Sequence, residues 1–434
     1  GATFTMSGDS KILDNKNMNY GAGIYLYYNN CKLVMKGGEI SGNIAVTHGG
    51  AVYMHDLSSS SHSDMQISGS SYIPYGGAVK NNDIYMLDFN AKITITGSLS
   101  DREANNLIYI IPHSNPVGKQ IFELASGVSE TEINKFALNT ANVLIGNDGK
   151  IYNSNITNLS YPLPEIFSKI PEGCTTPISI TLSEDVSITP GEFDVTYFLT
   201  IEGHYQLSSV SGYIFNVQDG GKLTIKDGVS LHSTNQEPVI KQSGGEIVIE
   251  GTASNQVTID SQAYGDAVKI EGGTFNASYI NISASSYWPL EISGGQVTID
   301  NMTISGNSHP MDGGGVYIEN GTIQFTNCSI TNNTSSPSGG QSSKGGGIYM
   351  DNGNLTLNSC TITGNKVGYY NYQGNENAYG GGIYVNAGSI NINSCTISDN
   401  SELNNSENIE GKQIYLKSGV TYNGQILTSA YSQD

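Results

Sequence analysis

Residues 313 to 333 read Gly-Gly-Gly-Val-Tyr-Ile-Glu-Asn-Gly-Thr-Ile-Gln-Phe-Thr-Asn-Cys-Ser-Ile-Thr-Asn-Asn, and the same pattern returns at 345–365 and 380–400. Each copy starts with glycines, continues through an aliphatic-Tyr-aliphatic triplet and ends in two short runs in which apolar and polar residues alternate. Alternation with a period of two is typical of a strand with one buried face. Short strands that repeat in register predict the coils of a β-solenoid.

A column of glycines marks the coils in the second half of the chain. Its members are Gly221, Gly245, Gly273, Gly295, Gly321, Gly353, Gly388 and Gly419. The spacing between them varies because longer coils accommodate insertions at one corner, at 332–344, 366–379 and 401–411. The last strands of successive coils end in Asn307, Asn333, Asn365 and Asn400. Stacked asparagines can hydrogen-bond along the solenoid axis and tolerate a left-handed corner, so we expect a structural role for them.

The first half repeats the pattern more loosely. Inward-facing pairs recur at Phe4/Met6, Leu33/Met35, Met65/Ile67 and Ile93/Ile95. We therefore predict an all-β, right-handed parallel β-helix in two solenoid segments joined by a β-rich junction. Residues 1–112 form the first segment of about four coils, 113–176 the cap, junction and Pro-containing linker, and 177–434 the second segment of about eight to ten coils. Within the junction, 129–136 predicts a helical turn and Asn147-Asp-Gly149 predicts a hairpin.

Composition excludes several classes of function. The 434 residues include 39 acidic and 19 basic side chains, which give a formal net charge of −20. Such a surface repels phosphate backbones, so we expect no nucleic-acid partner. No run of residues is long and apolar enough to span a membrane. The chain begins in what reads as a half-made coil, so we expect a signal and an anchor to lie outside this sequence.

The sequence predicts no cofactor. The five cysteines have neither CxxC nor Cys/His metal-ligand spacing, and Cys328, Cys360 and Cys395 fall in an inward column. We favour a core role for this column over a disulfide or metal role, because cysteine behaves as a small apolar residue. Calcium could lie among the acids near 399–410, but no calcium-loading motif indicates it.

A second column should face outward. Tyr317, Tyr349, Tyr384 and Tyr415 occupy it, as Tyr25, Tyr53 and Tyr85 do in the first half. Exposed aromatic rows can stack on sugar rings or contact a protein. Alternatively, the rings stack on one another or lie beneath the inserted loops, an interpretation that we favour for the row as a whole.

If a binding site exists, we place it on the edge of the second segment that carries the insertions. Its candidate ligand-binding residues are Tyr287, Trp288, His309, Tyr349, Tyr369, Tyr370, Tyr372, Tyr379 and Tyr384. Aromatic side chains on a loop-bearing edge suit recognition of a sugar or a peptide. They could equally serve to pack the loops onto the coils.

We find no catalytic constellation. Glycosidic cleavage needs two carboxylates in one groove, and no acidic pair or trio holds equivalent positions in successive coils. Asp266 and Asp312 are single acids near turns, where acids more often form the turn than act as bases. The seven histidines are scattered without a neighbouring nucleophile. We therefore predict that the protein is not an enzyme.

Two short phrases carry a family resemblance. Gly-Gly-(Ala/Gly)-(Val/Ile) begins at Gly49, Gly76, Gly313, Gly345 and Gly380, and Ile-x-x-Asn begins at Ile40, Ile304, Ile330, Ile362 and Ile397. With Ile in place of Phe, these phrases resemble the repeats of bacterial polymorphic outer membrane proteins and related surface adhesins. More broadly, the chain resembles right-handed parallel β-helix proteins of the pectin-lyase-like class. The motifs of the enzymes in that class are missing here.

The resemblance implies an extracellular or bacterial cell-surface protein. We expect a non-catalytic, adhesin-like protein that binds an extracellular glycan or a host protein. The alternatives are a polysaccharide-active enzyme, either a lyase or a glycoside hydrolase, and a purely structural surface stalk. Fold analogy alone leaves the enzyme open.

Overall fold

The protein is an all-β solenoid of about 12 turns, with 53% of its residues in strands and 2% in helix. The structure is a computed structural model that describes residues 1–27, 30–58, 61–74, 82–87, 90–100, 107–114, 116–138, 143–156, 167–168, 170, 174, 176–188, 193–262, 265–284, 286–336, 343–368, 378–403 and 409–434. The stacked parallel sheets confirm the predicted fold class. The right hand of the coil stays a prediction.

The chain forms two compact units. Unit 1 comprises Gly1–Asn155 and Ile166–Thr176, and unit 2 comprises Ile156–Glu165 and Pro177–Asp434. Each unit has its own stacked sheets, and each is described below by itself.

Unit 1 is built on two parallel five-stranded sheets. The first contains Thr3–Met6, Lys32–Met35, Asp64–Gly69, Ile93–Leu99 and Phe122–Leu124. The second contains Ile24–Leu26, Val52–Met54, Ile84–Met86, Ile108–Pro112 and Phe136–Leu138. The last strand of each sheet lies in the segment predicted as a junction and extends the sheet in parallel. The predicted inward pairs are buried except for Phe4, which is 49% exposed because its strand ends the sheet.

Shorter elements complete unit 1. Parallel pairs join Lys11–Leu13 to Glu39–Ser41 and Lys16–Tyr20 to Ile44–His48, and an antiparallel pair joins Asp56–Ser58 to Ser61–His62. The 3-10 helix Glu130–Lys135 and the antiparallel hairpin of Val143–Ile145 and Ile151–Asn153 confirm the helical turn and the hairpin predicted there. The two-residue strand Asn155–Ile156 follows in the chain.

Unit 2 has three strand-bearing faces, which we call A, B and C. Face A consists of Ile178–Thr181, Phe198–Glu202, Lys222–Lys226, Glu246–Glu250, the first parts of Thr274–Ala284 and Gln296–Ser305, Thr322–Thr326, Asn354–Asn358, Ser389–Asn393 and Thr421–Tyr422. Face B consists of Val186–Ile188, Gln206–Ser209, Ser230–Ser233, Val257–Ser261, the second parts of the same two long strands, Ser329–Thr331, Thr361–Thr363 and Thr396–Ser398. One residue with positive φ turns the chain from face A to face B in the later coils: Tyr279, Asn301, Asn327, Ser359 or Ser394.

Face C is a ten-stranded sheet. Its strands are Phe193–Val195, Phe215–Val217, Ile240–Gln242, Val268–Ile270, Leu290–Ile292, Val316–Ile318, Ile348–Met350, Ile383–Val385, Ile414–Leu416 and, antiparallel to the rest, Tyr431–Gln433. Four two-residue strands stack at the corner between faces B and C: Ser308–His309, Thr334–Ser335, Lys366–Val367 and Ser401–Glu402. Ala378–Tyr379 pairs with Ile409–Glu410, and Gln425–Ile426 pairs with Thr421–Tyr422.

The core of unit 2 consists of columns of equivalent residues. The register pairs Leu223, Ile247, Phe275, Val297, Ile323, Leu355 and Ile390 in succession, as predicted, and none is more than 2% exposed. Each such side chain contributes about 1.5–3 kcal/mol through burial of apolar area. In the last coil, Ile392 and Ile397 are only half-buried, because Thr421–Tyr422 covers Ser389–Ile390 alone.

The predicted asparagine ladder is present in the structure. The Nδ2 groups of Asn307, Asn333 and Asn365 each donate to the Oδ1 of the next asparagine, at 2.8, 3.0 and 3.0 Å. Asn400 ends the ladder by donating to Gln413 Oε1 at 2.8 Å. The left-handed corner residue is the one before each ladder asparagine, such as Asn332 with φ 56° or Gly364 with φ 68°. The prediction was therefore right about the hydrogen bonds and wrong by one residue about the corner.

The first and third glycines of each triplet are required for different structural reasons. The first glycine has positive φ, 62° at Gly345 and 60° at Gly380. The third lies against the ladder: a Cβ on Gly347 would meet the carbonyl oxygen of Gly382 at 2.7 Å and the Nδ2 of Asn365 at 3.0 Å. Only glycine allows that approach, because real Cβ atoms do not come so close to backbone.

Substitution of Gly347 by alanine should therefore destabilise unit 2 by about 1–3 kcal/mol, since the ladder and the next coil must shift to make room. The measurement is the free energy of unfolding from urea denaturation. Gly272→Ala is the matched control, because a Cβ there meets nothing closer than 3.2 Å. An equal loss of unfolding free energy in the two variants would show that the ladder does not require glycine at position 347.

The cysteine column lies in the core, as predicted. Cys328 and Cys360 are buried and Cys395 is half-buried, and all five cysteines of the chain are free thiols. The backbone N–H of Cys360 donates to the Sγ of Cys395 at 3.3 Å, and the Sγ of Cys328 donates to the carbonyl of Thr326 at 3.2 Å. Contacts of this kind suit small side chains that fill a narrow core.

Candidate functional site

The outward column of face C carries the predicted tyrosines. Tyr317, Tyr349, Tyr384 and Tyr415 pair in register, with ring centroids 5.3, 5.4 and 5.5 Å apart and interplanar angles of 9°, 2° and 3°. Tyr349 is 9% exposed and Tyr384 is 5% exposed. The rings thus stack on one another, which confirms the interpretation that we favoured for this row, and the alternative of a freely exposed aromatic row is wrong for Tyr349 and Tyr384.

The corresponding row of unit 1 is only partly accessible. Tyr53 stacks on Tyr85 with centroids 5.1 Å apart, and Tyr25 meets Tyr53 edge-on at 5.0 Å. Tyr25 is 41% exposed, whereas Tyr53 and Tyr85 are buried. The imidazole of His48 covers Tyr85 at 4.2 Å.

Three predicted residues of unit 2 form one aromatic cluster next to the stack. The ring centroid of Trp288 lies 4.4 Å from that of His309 and 5.3 Å from that of Tyr287. The centroids of Tyr287 and His309 are 5.2 Å apart. Trp288 also packs 4.6 Å from Tyr317, which joins the cluster to the tyrosine stack. The indole Nε1 donates to the carbonyl of Asp312 at 2.8 Å.

This cluster is mostly interior. His309 is fully buried and Trp288 is 8% exposed, while Tyr287 is half-buried. Burial lowers the pKa of His309 to about 4, so its ring is neutral at physiological pH. The side chains of Trp288 and His309 are therefore almost inaccessible from the surface, and their predicted role in ligand binding stays a prediction.

The remaining predicted residues lie further along the insertions. The ring of Tyr379 is 4.9 Å from Tyr415 and 6.2 Å from Tyr384, so it covers the end of the stack. Tyr369, Tyr370 and Tyr372 lie outside the described residues.

A pocket of about 430 Å³ opens on face C beside the aromatic cluster. Its lining combines one aromatic ring with side chains of both charges: Gln236, Glu237, Pro238, Lys241, Gly265, Asp266, Lys269, Glu271 and Tyr287. Among the predicted ligand-binding residues that the structure describes, only Tyr287 lines it. Most small-molecule pockets are lined mainly by apolar side chains, so this mostly polar lining suits a ligand rich in hydrogen-bonding groups.

Lysine–carboxylate pairs fix the polar wall of the pocket. Lys241 and Lys269 are register partners on adjacent strands. The Nζ of Lys241 lies 3.3 Å from Glu271 Oε2, and the Nζ of Lys269 lies 3.0 Å from Glu291 Oε2. The hydroxyls of Ser243 and Ser293 donate to the same two glutamates. Both lysines of the wall are thus paired with a glutamate.

Asp266 and Glu291 form a carboxyl pair behind this wall. Asp266 is 4% exposed and Glu291 is 7% exposed. Burial and, next, the contact with Glu291 raise the pKa of Asp266 to about 8, against the opposing effects of Lys269 and the Trp288 backbone N–H. One of the pair therefore holds a proton at neutral pH. The Oδ1 of Asp266 is buried and has no hydrogen-bond partner among the described residues.

The sequence search missed this pair because its two members are not equivalent in their coils. Asp266 lies two residues before the strand Val268–Ile270, whereas Glu291 is the central residue of the next strand. For three residues of this region, the spacing in the sequence did indicate a shared position on face C. Lys241, Lys269 and Glu291 stand four residues before column glycines, at the position that the tyrosines hold in later coils.

The described residues contain no group of three or more His, Cys, Asp or Glu side chains that could hold a metal ion. The described part of the chain also has no helix with the length and apolarity needed to cross a membrane.

The fold and the pocket define this protein as a β-solenoid with a concave polar site on one sheet. No protein-family model, curated protein or solved structure matches the chain.

Proposed function

We propose that this protein is a non-catalytic, extracellular β-solenoid of adhesin-like type that binds a glycan in the pocket on face C. The pocket itself carries the proposal, because it places the half-buried ring of Tyr287 beside the lysine–carboxylate pairs. An aromatic ring can stack on the apolar face of a sugar, and polar groups of both signs can donate to and accept from its hydroxyls.

The fold helps such a site in a simple way. Lys241, Lys269 and Glu291 extend from paired strands, and the Trp288–His309 cluster supports Tyr287 from behind. Side chains held on a rigid sheet lose little freedom when a ligand binds. The resemblance of the repeats to polymorphic outer membrane proteins and adhesins supports the bacterial surface as the location, and the right-handed, pectin-lyase-like form of the coil belongs to the same proposal.

Tyr287→Ala should weaken glycan binding by about tenfold or more, because loss of a stacking aromatic removes about 1.4 kcal/mol or more. A glycan-array screen would supply the ligand, and calorimetric titration would measure its affinity. Tyr205→Ala is the matched control, since Tyr205 is an exposed tyrosine of unit 2 outside the pocket. Trp288 and Tyr384 are unsuitable probes because their burial makes substitutions there structural.

Two results would count against the proposal. One is the absence of binding to any glycan by the folded protein. The other is an equal effect of Tyr205→Ala and Tyr287→Ala on binding.

An enzyme that cleaves polysaccharides is the second candidate, and the Asp266–Glu291 pair favours it. A carboxyl that keeps its proton at neutral pH could act as a general acid toward a glycosidic oxygen. Incubation of the bound glycans with the protein, followed by analysis of released oligosaccharides, separates the two functions. Products that disappear in Asp266→Asn would support the enzyme, and intact glycan would support binding alone.

A further inference from the structure

We infer that the pocket on face C selects an uncharged, hydroxyl-rich saccharide, because its two lysines are already paired with Glu271 and Glu291 and the buried carboxyl of Asp266 lies beside them. This inference rests on the proposed function and names the class of glycan that the same site takes.

The charges of the site balance in two sets. Lys241 and Glu271 form one ion pair at 3.3 Å. Lys269 faces Glu291 at 3.0 Å, and Glu291 in turn faces Asp266. With one proton on the carboxyl pair, the second set is neutral as well. Glu237, which is exposed at the rim, is the remaining charged group of the lining.

Balanced charges penalise a charged ligand of either sign. A uronate or sulfate group would meet Glu271 and Asp266 as well as the two lysines, and each lysine is already paired with a glutamate. An amino sugar would bring a cation toward Lys241 and Lys269. Glu237, the one acid of the described lining outside the two balanced sets, is exposed to solvent, which weakens its attraction for that cation. Desolvating a ligand charge without an unpaired partner in the site costs free energy, whereas hydroxyl groups can join the existing pairs as donors and acceptors.

The proton of the carboxyl pair is part of this balance. Two ionised carboxylates in contact inside a buried site repel each other, so one proton stays with the pair. Asp266 lines the pocket, and its buried Oδ1 lacks a partner among the described residues. The groups that face Asp266 are Glu291 and Lys269, with Glu271, Lys241 and Glu237 around the same pocket. At alkaline pH the pair loses its proton, the site gains a buried negative charge, and the pocket deforms or takes up a cation.

The test measures affinity for a neutral glycan and for a uronate-bearing glycan of the same length, at about pH 6.5 and about pH 9.5, by calorimetric titration. The wild-type protein should prefer the neutral glycan and bind it about tenfold more weakly at the higher pH, the change that corresponds to about 1.4 kcal/mol. In Asp266→Asn the ratio of affinities at the two pH values should fall to about one, because the amide cannot ionise.

Glu291→Gln supplies the second variant. It removes the carboxylate that, in addition to burial, raises the pKa of Asp266, and it leaves Asp266 ionised beside Lys269, so the ratio of affinities at the two pH values should again fall to about one. Circular dichroism of each variant shows whether it is folded, and the isosteric Asp266→Asn tests the inference even where Glu291→Gln unfolds.

The outcomes separate the two proposals. Glycan binding that favours the uronate ligand in the wild type would overturn the inference and leave the proposed function standing. A pH dependence that survives in Asp266→Asn would do the same. Failure to bind any glycan at either pH would overturn the proposed function, and the inference with it.

Discussion

Asn365→Ala is expected to lower the free energy of unfolding of unit 2 by about 3 kcal/mol or more, because it leaves several buried polar groups without partners. The Oδ1 of Asn365 accepts from the backbone N–H and the Nδ2 of Asn333, both at 3.0 Å. Its Nδ2 donates to Asn400 at 3.0 Å and to the carbonyl of Ile330 at 2.8 Å. All three asparagines are buried, so water cannot replace these bonds without entering the core.

Urea denaturation followed by circular dichroism measures this loss. Asn352→Ala is the matched control, since Asn352 is exposed and lies outside the ladder. A cost below about 1 kcal/mol for Asn365→Ala, similar to that of a surface substitution, would show that the ladder is not a stabilising element. Because the ladder crosses several coils, the expected loss should appear as a shift of the whole unfolding transition.

The second large effect is a loss of stability in acid that depends on His309. Burial lowers its pKa in the folded protein to about 4, below its ordinary value of 6.5. The unfolded chain therefore takes up a proton before the folded protein does. The contribution of the neutral ring is complete above pH 6.5 and is lost as the pH falls toward 4. The difference in pKa corresponds to about 3 kcal/mol.

Burial of the His309 ring explains the direction of the pKa shift. The backbone N–H of Met311 donates to Nδ1 at 3.2 Å, so the neutral ring carries its proton on Nε2. Nε2 is buried and has no partner among the described residues, and the rings of Trp288 and Tyr287 lie 4.4 and 5.2 Å away. If the ring took up a second proton, no carboxylate among its described contacts would balance the positive charge.

The measurement compares wild type and His309→Gln by denaturation at pH 7 and at pH 4.5. The wild type should lose about 2–3 kcal/mol more than the variant, because glutamine keeps the polar contact but cannot be protonated. Burial raises the pKa values of Asp83 and Asp266, so these acids contribute to the pH dependence of stability with the opposite sign. Their contribution is the same in the wild type and the variant, and the comparison therefore removes it. His204→Gln, at a 61% exposed side chain, is the control. An identical pH dependence of wild type and His309→Gln would contradict the prediction.

Much of the architecture could be predicted from local patterns. The alternation around Ile323 and Phe325 gave the inward columns, and the repeat of Ile-x-x-Asn gave the asparagine ladder. Neighbouring coils repeat the same surroundings, so a residue's environment follows from its position in the repeat. The corner residue was placed one position too late because both asparagines of Asn332-Asn333 are compatible with a left-handed turn, and only the backbone geometry separates them.

The site was predictable only in part. The direction of the tyrosine column followed from alternation, and mutual stacking was the favoured interpretation. The extent of its burial was not predictable, because it depends on ring contacts between coils and with Tyr379, which are tertiary effects. Trp288, His309 and Tyr287 were expected on one edge, and the structure brings them together. Their sequence gave no means to tell which ring borders a cavity.

The sequence by itself determined the strand pattern, the coil repeat, the inward columns and the ladder, because each depends on the alternation of side chains and on the repeat alone. Only the tertiary structure decided the contact between Asp266 and Glu291 and the pocket in front of them. Coil lengths vary, and the two acids occupy different positions in adjacent coils, so their distance depends on how the turn before each strand folds. Burial of that contact then sets the proton and the charge of the site, which no residue spacing specifies.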